Sequence, residues 1–374
     1  MSTARATPSR VPVLGVLSPV ARTAVLATLA ATAAATVLDL GLGAEGAVVF
    51  VVAAVAILGL AWIVGLSTER LGALAGPQVG GILNATFGNI AELIIAFFAL
   101  QAGLLTVVKA SLTGSIIGNL LLVLGAAVLA GGLRNGVQRF SQRIAGSNAA
   151  LLVLAATGLF IPGVFAASGG TAQGVRVEES VLVAAVLIGG YALSLVWQFT
   201  NPEATLGGHE ASEGHAGPPW PVRTAVAVLL VAAALLAVLS EILVGSIEPF
   251  IDQFGLSELF VGVILIPTIG NLAEHIVAVQ LAYKNKLEFA MAVCYGSSLQ
   301  VALFVAPVLV LAGLVLGQPM DLVFAPLEIA AVGVAVGISA LIALDGESNW
   351  LEGALLMLVY LVLAVSFFEL RIPI

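Results

Sequence analysis

Gly88-Asn89-Ile90-Ala91-Glu92-Leu93 returns as Gly270-Asn271-Leu272-Ala273-Glu274-His275, 182 positions later in the chain. The same offset carries Gly114-Ser115 onto Gly296-Ser297, so two consecutive segments repeat in register rather than one short string recurring by chance. Each motif lies inside an apolar run, and Glu92 falls near the middle of the one from Gln78 to Leu100. An ionised carboxylate in such surroundings is costly unless a cavity, a partner or an ion receives it. The repeat therefore points to a paired internal polar site.

The rest of the chain sets the solvent in which that site must exist. Of 374 residues, 60% are hydrophobic and 9% charged, and the mean hydropathy is +1.15, which excludes an aqueous globule. A bilayer core needs roughly 20 apolar residues per helical span, and runs of that length recur from Thr23 onward. Cys294 is the single cysteine, so neither a disulfide framework nor a thiolate metal cluster is available. The net charge of -8 comes mainly from loops and helix ends, and no Lys/Arg cluster resembles a nucleic-acid footprint, which excludes nucleic acid as a partner. The lipid bilayer is the expected surrounding, and a homo-oligomer is left open.

Reading polar breaks as loops gives an all-α integral membrane protein of eleven transmembrane helices. They are expected near Thr23–Leu40, Gly46–Leu66, Gln78–Leu100, Val107–Leu133, Gly146–Ala167, Ser180–Thr200, Thr224–Gly245, Glu258–Tyr283, Phe289–Leu316, Leu322–Leu344 and Leu351–Phe368. The first could be taken for a signal peptide, but Pro12, Gly15 and Pro19 interrupt any early apolar core, so it reads as a retained helix. The organisation is an N-terminus and first helix over 1–42, a five-helix repeat over 43–200, an acidic His-containing linker over 201–221 and a second five-helix repeat over 222–374. Five is odd, so the second repeat enters the membrane upside down relative to the first. A weaker echo, Leu66-Ser67-Thr68-Glu69 against Leu239-Ser240-Glu241, pairs the second helix with the seventh.

Orientation follows from Lys and Arg, which are retained on the cytoplasmic side. With the N-terminus inside and the C-terminus outside, ten of the thirteen are cytoplasmic: Arg5, Arg10, Arg22, Arg70, Arg134, Arg139, Arg143, Arg223, Lys284 and Lys286. Lys109, Arg176 and Arg371 fall outside. The expected location is the cell (inner) membrane of a prokaryote.

Asn89 is three residues and Gly88 four residues from Glu92, which puts an amide, a bare backbone patch and a carboxylate on one helix face. Asn271, Gly270 and Glu274 reproduce that face. Such an all-oxygen set suits a hard cation, and two carboxylates would balance a divalent charge. Packing of helices through Gly-Asn, with each Glu held protonated, is the competing explanation. Ser115, Asn119, Ser297 and Gln300 supply neutral oxygens or bond between helices, and His275 is either a neighbour that tunes protonation or a packing residue. Glu69, Glu241 and Glu328 lie nearer helix ends or on other helices, where bundle pairing accounts for a carboxylate. Pro267 should perturb its helix and free backbone carbonyls near the site. The segment Asn201 to Trp220, with Glu203, His209, Glu210, Glu213 and His215 among Gly and Pro, reads as a flexible linker rather than a metal sensor.

Asn84-Ala85-Thr86-Phe87-Gly88-Asn89-Ile90-Ala91-Glu92-Leu93 and Gly270-Asn271-Leu272-Ala273-Glu274-His275 together resemble the two signature repeats of the cation/proton exchanger (CAX) family of calcium/proton antiporters. Tyr283-Lys284-Asn285-Lys286, Gly296-Ser297-Ser298-Leu299-Gln300 and Ala302-Leu303-Phe304-Val305 resemble the same family. The resemblance implies that Glu92 and Glu274 bind Ca²⁺ and protons alternately, that Asn89, Asn271 and nearby backbone complete the site, and that no cofactor takes part. Cytosolic calcium would leave in exchange for protons by alternating access, and the chain would not be an enzyme. The alternatives are a sodium-linked or broader cation/proton exchanger of the same fold, or a gated cation channel. Leu344-Asp345-Gly346 resembles part of an intramembrane metalloprotease site, but no His-Glu-x-x-His helix accompanies it, and that reading is discarded.

Overall fold

The computed structural model of the chain describes residues 18–43, 46–75, 83, 87–169, 172–201 and 220–370. The linker residues Glu203, His209, Glu210, Glu213 and His215 lie outside them, as do Gln78, Asn84, Ala85, Thr86, Arg5, Arg10 and Arg371.

Helix α1 spans Pro19–Thr36, with Ser18 Oγ accepting from Ala21 N, and runs into a π-helical turn over Val37–Gly41. It is followed by α2 (Ala47–Ala75), α3 (Ile90–Gln101), α4 (Leu105–Asn135), α5 (Gln142–Ala167) and α6 (Gln173–Thr200). After the linker come α7 (Val222–Gly245), the short amphipathic α8 (Ile247–Phe254), α9 (Glu258–Tyr283), α10 (Leu287–Leu316), α11 (Pro326–Ile342) and α12 (Trp350–Glu369). Among the described residues nine spans are long and apolar enough to cross a membrane, while α3 and α11 are shorter apolar helices. Their outward faces keep large apolar side chains such as Leu182, Leu193, Leu230, Leu358 and Val365 exposed, as lipid-facing helices must.

Several boundaries depart from the hydropathy reading, among them the start of α6, which lies at Gln173 instead of Ser180. Helix α2 continues to Ala75 instead of stopping at Leu66, because 29 residues span about 44 Å and its Thr68-Glu69-Arg70 end extends past an apolar core of about 30 Å. Helix α11 starts at Pro326 rather than Leu322. The preceding segment is held open by side chains: Leu322 N donates to Ser180 Oγ at 2.9 Å, Val323 N to Asp321 Oδ1 at 3.2 Å and Ala325 N to Glu328 Oε2 at 2.8 Å. Lastly, Gly88-Asn89 form a turn, so Glu92 stands in the first turn of α3 and not in the middle of an unbroken helix.

Helices α4 and α9 pack against each other more extensively than any other pair, and α2 also packs extensively on α7, in line with the Ser67 and Ser240 echo; both serines are fully buried. With α10 and α12, α4 and α9 form the densest part of the bundle. Helix α4 carries a π-helical turn over Gly118–Val123 and α10 one over Val301–Val305, nearly the same register in the two copies of the repeat. A third, Val261–Leu265, opens α9 ahead of Pro267. Proline has no N–H to offer the Val263 carbonyl. Helix α4 closes on this stretch through Gly114, where a Cβ would lie 2.2 Å from Val263 O.

The loops sort their charges into two groups. At one end Asp321 pairs with Lys109 and, at 3.7 Å, with Arg176 Nε. At the other, Gln138–Arg139 pair antiparallel with Glu347–Ser348, Gln138 Nε2 donates to Ala282 O at 2.9 Å and to Asn285 Oδ1 at 3.0 Å, and Arg134 lies 4.1 Å over the Tyr283 ring. Asn285 takes the left-handed conformation (φ 62°) that closes α9, with Lys286 N donating to Leu281 O at 2.9 Å.

Candidate cation site

The two motif copies meet where α3, α4, α9 and α10 converge. Asn89, in the turn before α3, does not cap its own helix. Its Oδ1 accepts from Ser297 Oγ at 2.8 Å and its Nδ2 donates to Gln300 Oε1, so the amide is spent across the bundle on α10. Ser297 Oγ in turn accepts from Asn119 Nδ2 at 3.0 Å. On the other side Asn271 Nδ2 donates to Ser115 Oγ at 3.3 Å. Since 89 and 271, and 115 and 297, are related by the repeat offset, the pairing is reciprocal: the Asn of each copy bonds the Ser of the other. Asn89, Asn271, Ser115 and Ser297 are all at most 5% exposed, so these bonds satisfy groups that water does not reach.

Glu92 is 9% exposed, and its carboxylate rests on Gly270 of the opposite copy, where a Cβ would sit 3.1 Å from Cγ and Oε1. It lines a cavity of ≈ 10 Å³, the room of about one water, with Ser111 and Ser115 of α4 and Pro267 of α9 among its walls. Neither oxygen of Glu92 has a side-chain hydrogen-bond partner among the described residues, and Asn271 Oδ1 and Glu274 Oε2 are likewise unfilled. Glu274 is close enough to act electrostatically on Glu92, and no salt bridge among the described residues reaches either. Glu92 also lies at the N-terminus of α3, where unpaired backbone N–H groups and the helix dipole favour negative charge.

Of the residues expected to build the site, the structure joins Glu92, Gly270, Asn271 and Ser115 on one side, and Asn89, Ser297 and Gln300 on the other, with Glu274 beside Ser297. Gly88 stands with Asn89 in the turn ahead of α3. His275 is half-buried and follows Glu274 directly, so it projects about 100° away around α9 and joins none of these bonds. Ser111 was absent from the sequence reading, although its four-residue spacing from Ser115 places both on one edge of α4. Among the described residues no three His, Cys, Asp or Glu side chains gather as a metal-binding cluster.

What this arrangement provides is a pair of neighbouring carboxylates, Glu92 buried and Glu274 half-buried, with open lone pairs and neutral oxygens beside them. Two negative charges without a protein counter-charge need two protons or one divalent cation, and both sets cannot be accommodated at once.

Comparison with known proteins gives the family. The chain is 47% identical over 338 residues to a Ca(2+)/H(+) antiporter of Synechocystis sp., covering 86% of this chain and 90% of that one. It is 42% identical over 327 residues to the Ca(2+)/H(+) antiporter ChaA of Bacillus subtilis, covering 87% and 93%. The solved structure of native YfkE superposes with a TM-score of 0.81 at 37% identity, covering 93% of this chain and 100% of that one. A structure of an H+/Ca2+ exchanger, CAX, shares the fold at a TM-score of 0.68 and 14% identity, covering 94% and 93%. The model of the sodium/calcium exchanger protein family matches residues 45–200 and 224–368. This is a family of multi-pass membrane transporters, not of enzymes, and the chain belongs to it.

Proposed function

We propose that the protein exports cytosolic Ca²⁺ in exchange for H⁺, with Glu92 and Glu274 as the groups that carry cation and protons in turn. The observation that carries this reading is the pair of carboxylates, one from each motif copy, Glu92 buried and Glu274 half-buried, with unfilled oxygens beside a reciprocal Asn–Ser frame. Asn271 Oδ1, the hydroxyls of Ser115 and Ser297, the amide oxygen of Gln300 and the backbone around Gly88 and Gly270 are the neutral ligands available to a calcium ion. Relatives bearing the name Ca(2+)/H(+) antiporter support the choice of calcium over sodium.

The architecture that goes with this reading has eleven spans, with α8 an interfacial appendage of α7. One N-terminal helix precedes two five-helix repeats of inverted topology, 43–200 and 222–374. The reciprocal bonds across the site and the matched π-helical turns of α4 and α10 support that relation. The end bearing Arg134, Arg139, Lys284 and Lys286 faces the cytoplasm, and the end bearing Lys109 and Arg176 faces outward. The grouping of these charges at separate ends supports that assignment. Alternating access then follows from movement of one part of the bundle against the other around a shared central site.

The test is calcium uptake and proton flux in proteoliposomes carrying Glu92→Gln or Glu274→Gln. Each is expected to abolish calcium-dependent proton movement while the protein remains folded. Near-normal exchange in both variants would refute the site. Uptake driven by an imposed sodium gradient and not by a pH gradient would refute the coupling ion.

A further inference from the structure

Helix α4 has two polar edges. Lys109 and Thr113 are four residues apart, as are Ser111 and Ser115, and the two pairs are out of step by about 200° around the helix. Ser111 and Ser115 line the Glu92 cavity, so Lys109 and Thr113 look away from it. On that far edge Thr113 Oγ1 donates to Glu328 Oε1 at 2.7 Å. The other oxygen of Glu328 accepts from Ala325 N at 2.8 Å, at the N-terminus of α11, where the helix dipole also favours a carboxylate. Glu328 is 3% exposed and Thr113 2%. One turn away Lys109 is paired with Asp321 and donates to Val323 O at 2.9 Å. The start of α11 and the segment before it thus grip α4 from behind the site.

Glu328 differs from Glu92 in the respect that decides what a buried carboxylate can do. Each of its oxygens already holds a donor from a different element, so the carboxylate ties α4 to the start of α11. Ser115, only two residues beyond Thr113, is the group that holds Asn271 and faces Glu92. A slide or rotation of α4 by a few tenths of an ångström passes directly to it, and binding constellations tolerate only about 0.5 Å.

We propose that Thr113 and Glu328 are a positioning pair for cation binding: their hydrogen bond sets the height and rotation of α4 and so places Ser115 and the Asn271 amide around the ion. The inference rests on the calcium/proton exchange reading of the site.

Thr113→Val keeps the shape and removes the hydroxyl, Thr113→Ser restores it, and Glu328→Gln leaves one carbonyl acceptor for the two donors, Thr113 Oγ1 and Ala325 N. Calcium uptake driven by a pH gradient is measured in proteoliposomes for wild type and all three, with KM and kcat separated and the melting temperature recorded. Thr113→Val should raise the KM for calcium about fivefold, the change expected of one lost buried hydrogen bond, with kcat retained. Thr113→Ser should return KM to the wild-type value, and Glu328→Gln should raise it in the same direction. An active wild type with unchanged KM in Thr113→Val, whether or not its melting temperature falls, overturns the positioning pair alone. Failure of Thr113→Ser to rescue does the same. Absence of calcium-coupled proton flux in the wild type overturns the exchange reading together with this inference.

Discussion

A methyl group added at Gly270 would lie 3.1 Å from Cγ and Oε1 of Glu92, closer than side chains normally approach, but the obstacle is the far end of a flexible side chain and not backbone. Helix α9 is continuous here, so Ala suits it better than Gly. Gly270→Ala should therefore fold normally while pushing the Glu92 carboxylate off its rest, and the KM for calcium should rise by about threefold to tenfold. A variant that folds and retains wild-type KM would show that Glu92 does not bind where it rests in this structure. The residue scale is also where the sequence was most legible: a Glu in an apolar run, repeated with its Gly and Asn, signals a site by cost alone. The partners were not legible. Nothing in the spacing of Asn89 says that its amide crosses to Ser297 and Gln300 and not to its own helix, because such bonds are set by how distant segments dock. Glu328, outside the repeated motif, reads as a carboxylate used in bundle pairing, but its two donors, Thr113 and Ala325, were not legible.

Elements turn on backbone contact. A Cβ at Gly114 would meet Val263 O at 2.2 Å and Val263 Cα at 2.6 Å, atoms that cannot step aside without moving the π-helical opening of α9. Gly114→Ala is expected to cost about 1–3 kcal/mol through forced separation of α4 from α9, read as a lower melting temperature and a smaller yield of monodisperse protein in detergent. Wild-type thermal stability would remove the close approach as a requirement of the fold. This contrasts with Gly270→Ala, where the same added methyl should change binding and leave stability alone. Hydropathy located most helices to within a few residues because burial in lipid is an averaged property of a long segment. It missed the break at Gly88-Asn89 and the π-helical turns of α4, α9 and α10, because these alter hydrogen bonding inside a run whose apolar content stays the same. Pro267 was the one visible sign of such a departure, and the structure places the irregular turn just before it.

For the whole molecule, the reciprocal bonds of Asn89 to Ser297 and Asn271 to Ser115 mean that the site belongs to neither half alone. Each motif copy brings one carboxylate and one half of the Asn–Ser frame, which in the proposed reading lets both copies serve one ion. The two frames are not equivalent, however. Asn89 is committed through both its oxygen and its nitrogen, while Asn271 keeps its oxygen open. In the proposed reading, Glu92 and Glu274 take either protons or one calcium ion, and occupancy is then decided by competition at the centre. Protons bound to Glu92 and Glu274 remove the charge that calcium needs, so lowering the pH on the calcium-loading side must raise the KM for calcium. In the acidic range that rise approaches about tenfold per pH unit for each proton displaced, and so about a hundredfold if both must leave before calcium binds. Measuring the KM of calcium uptake across a pH series, at constant gradient, distinguishes the cases: two competing protons give the steep limb, and one gives half that slope. A KM that ignores pH would mean that protons and calcium do not share these carboxylates, and the exchange chemistry assigned to Glu92 and Glu274 would fall with it.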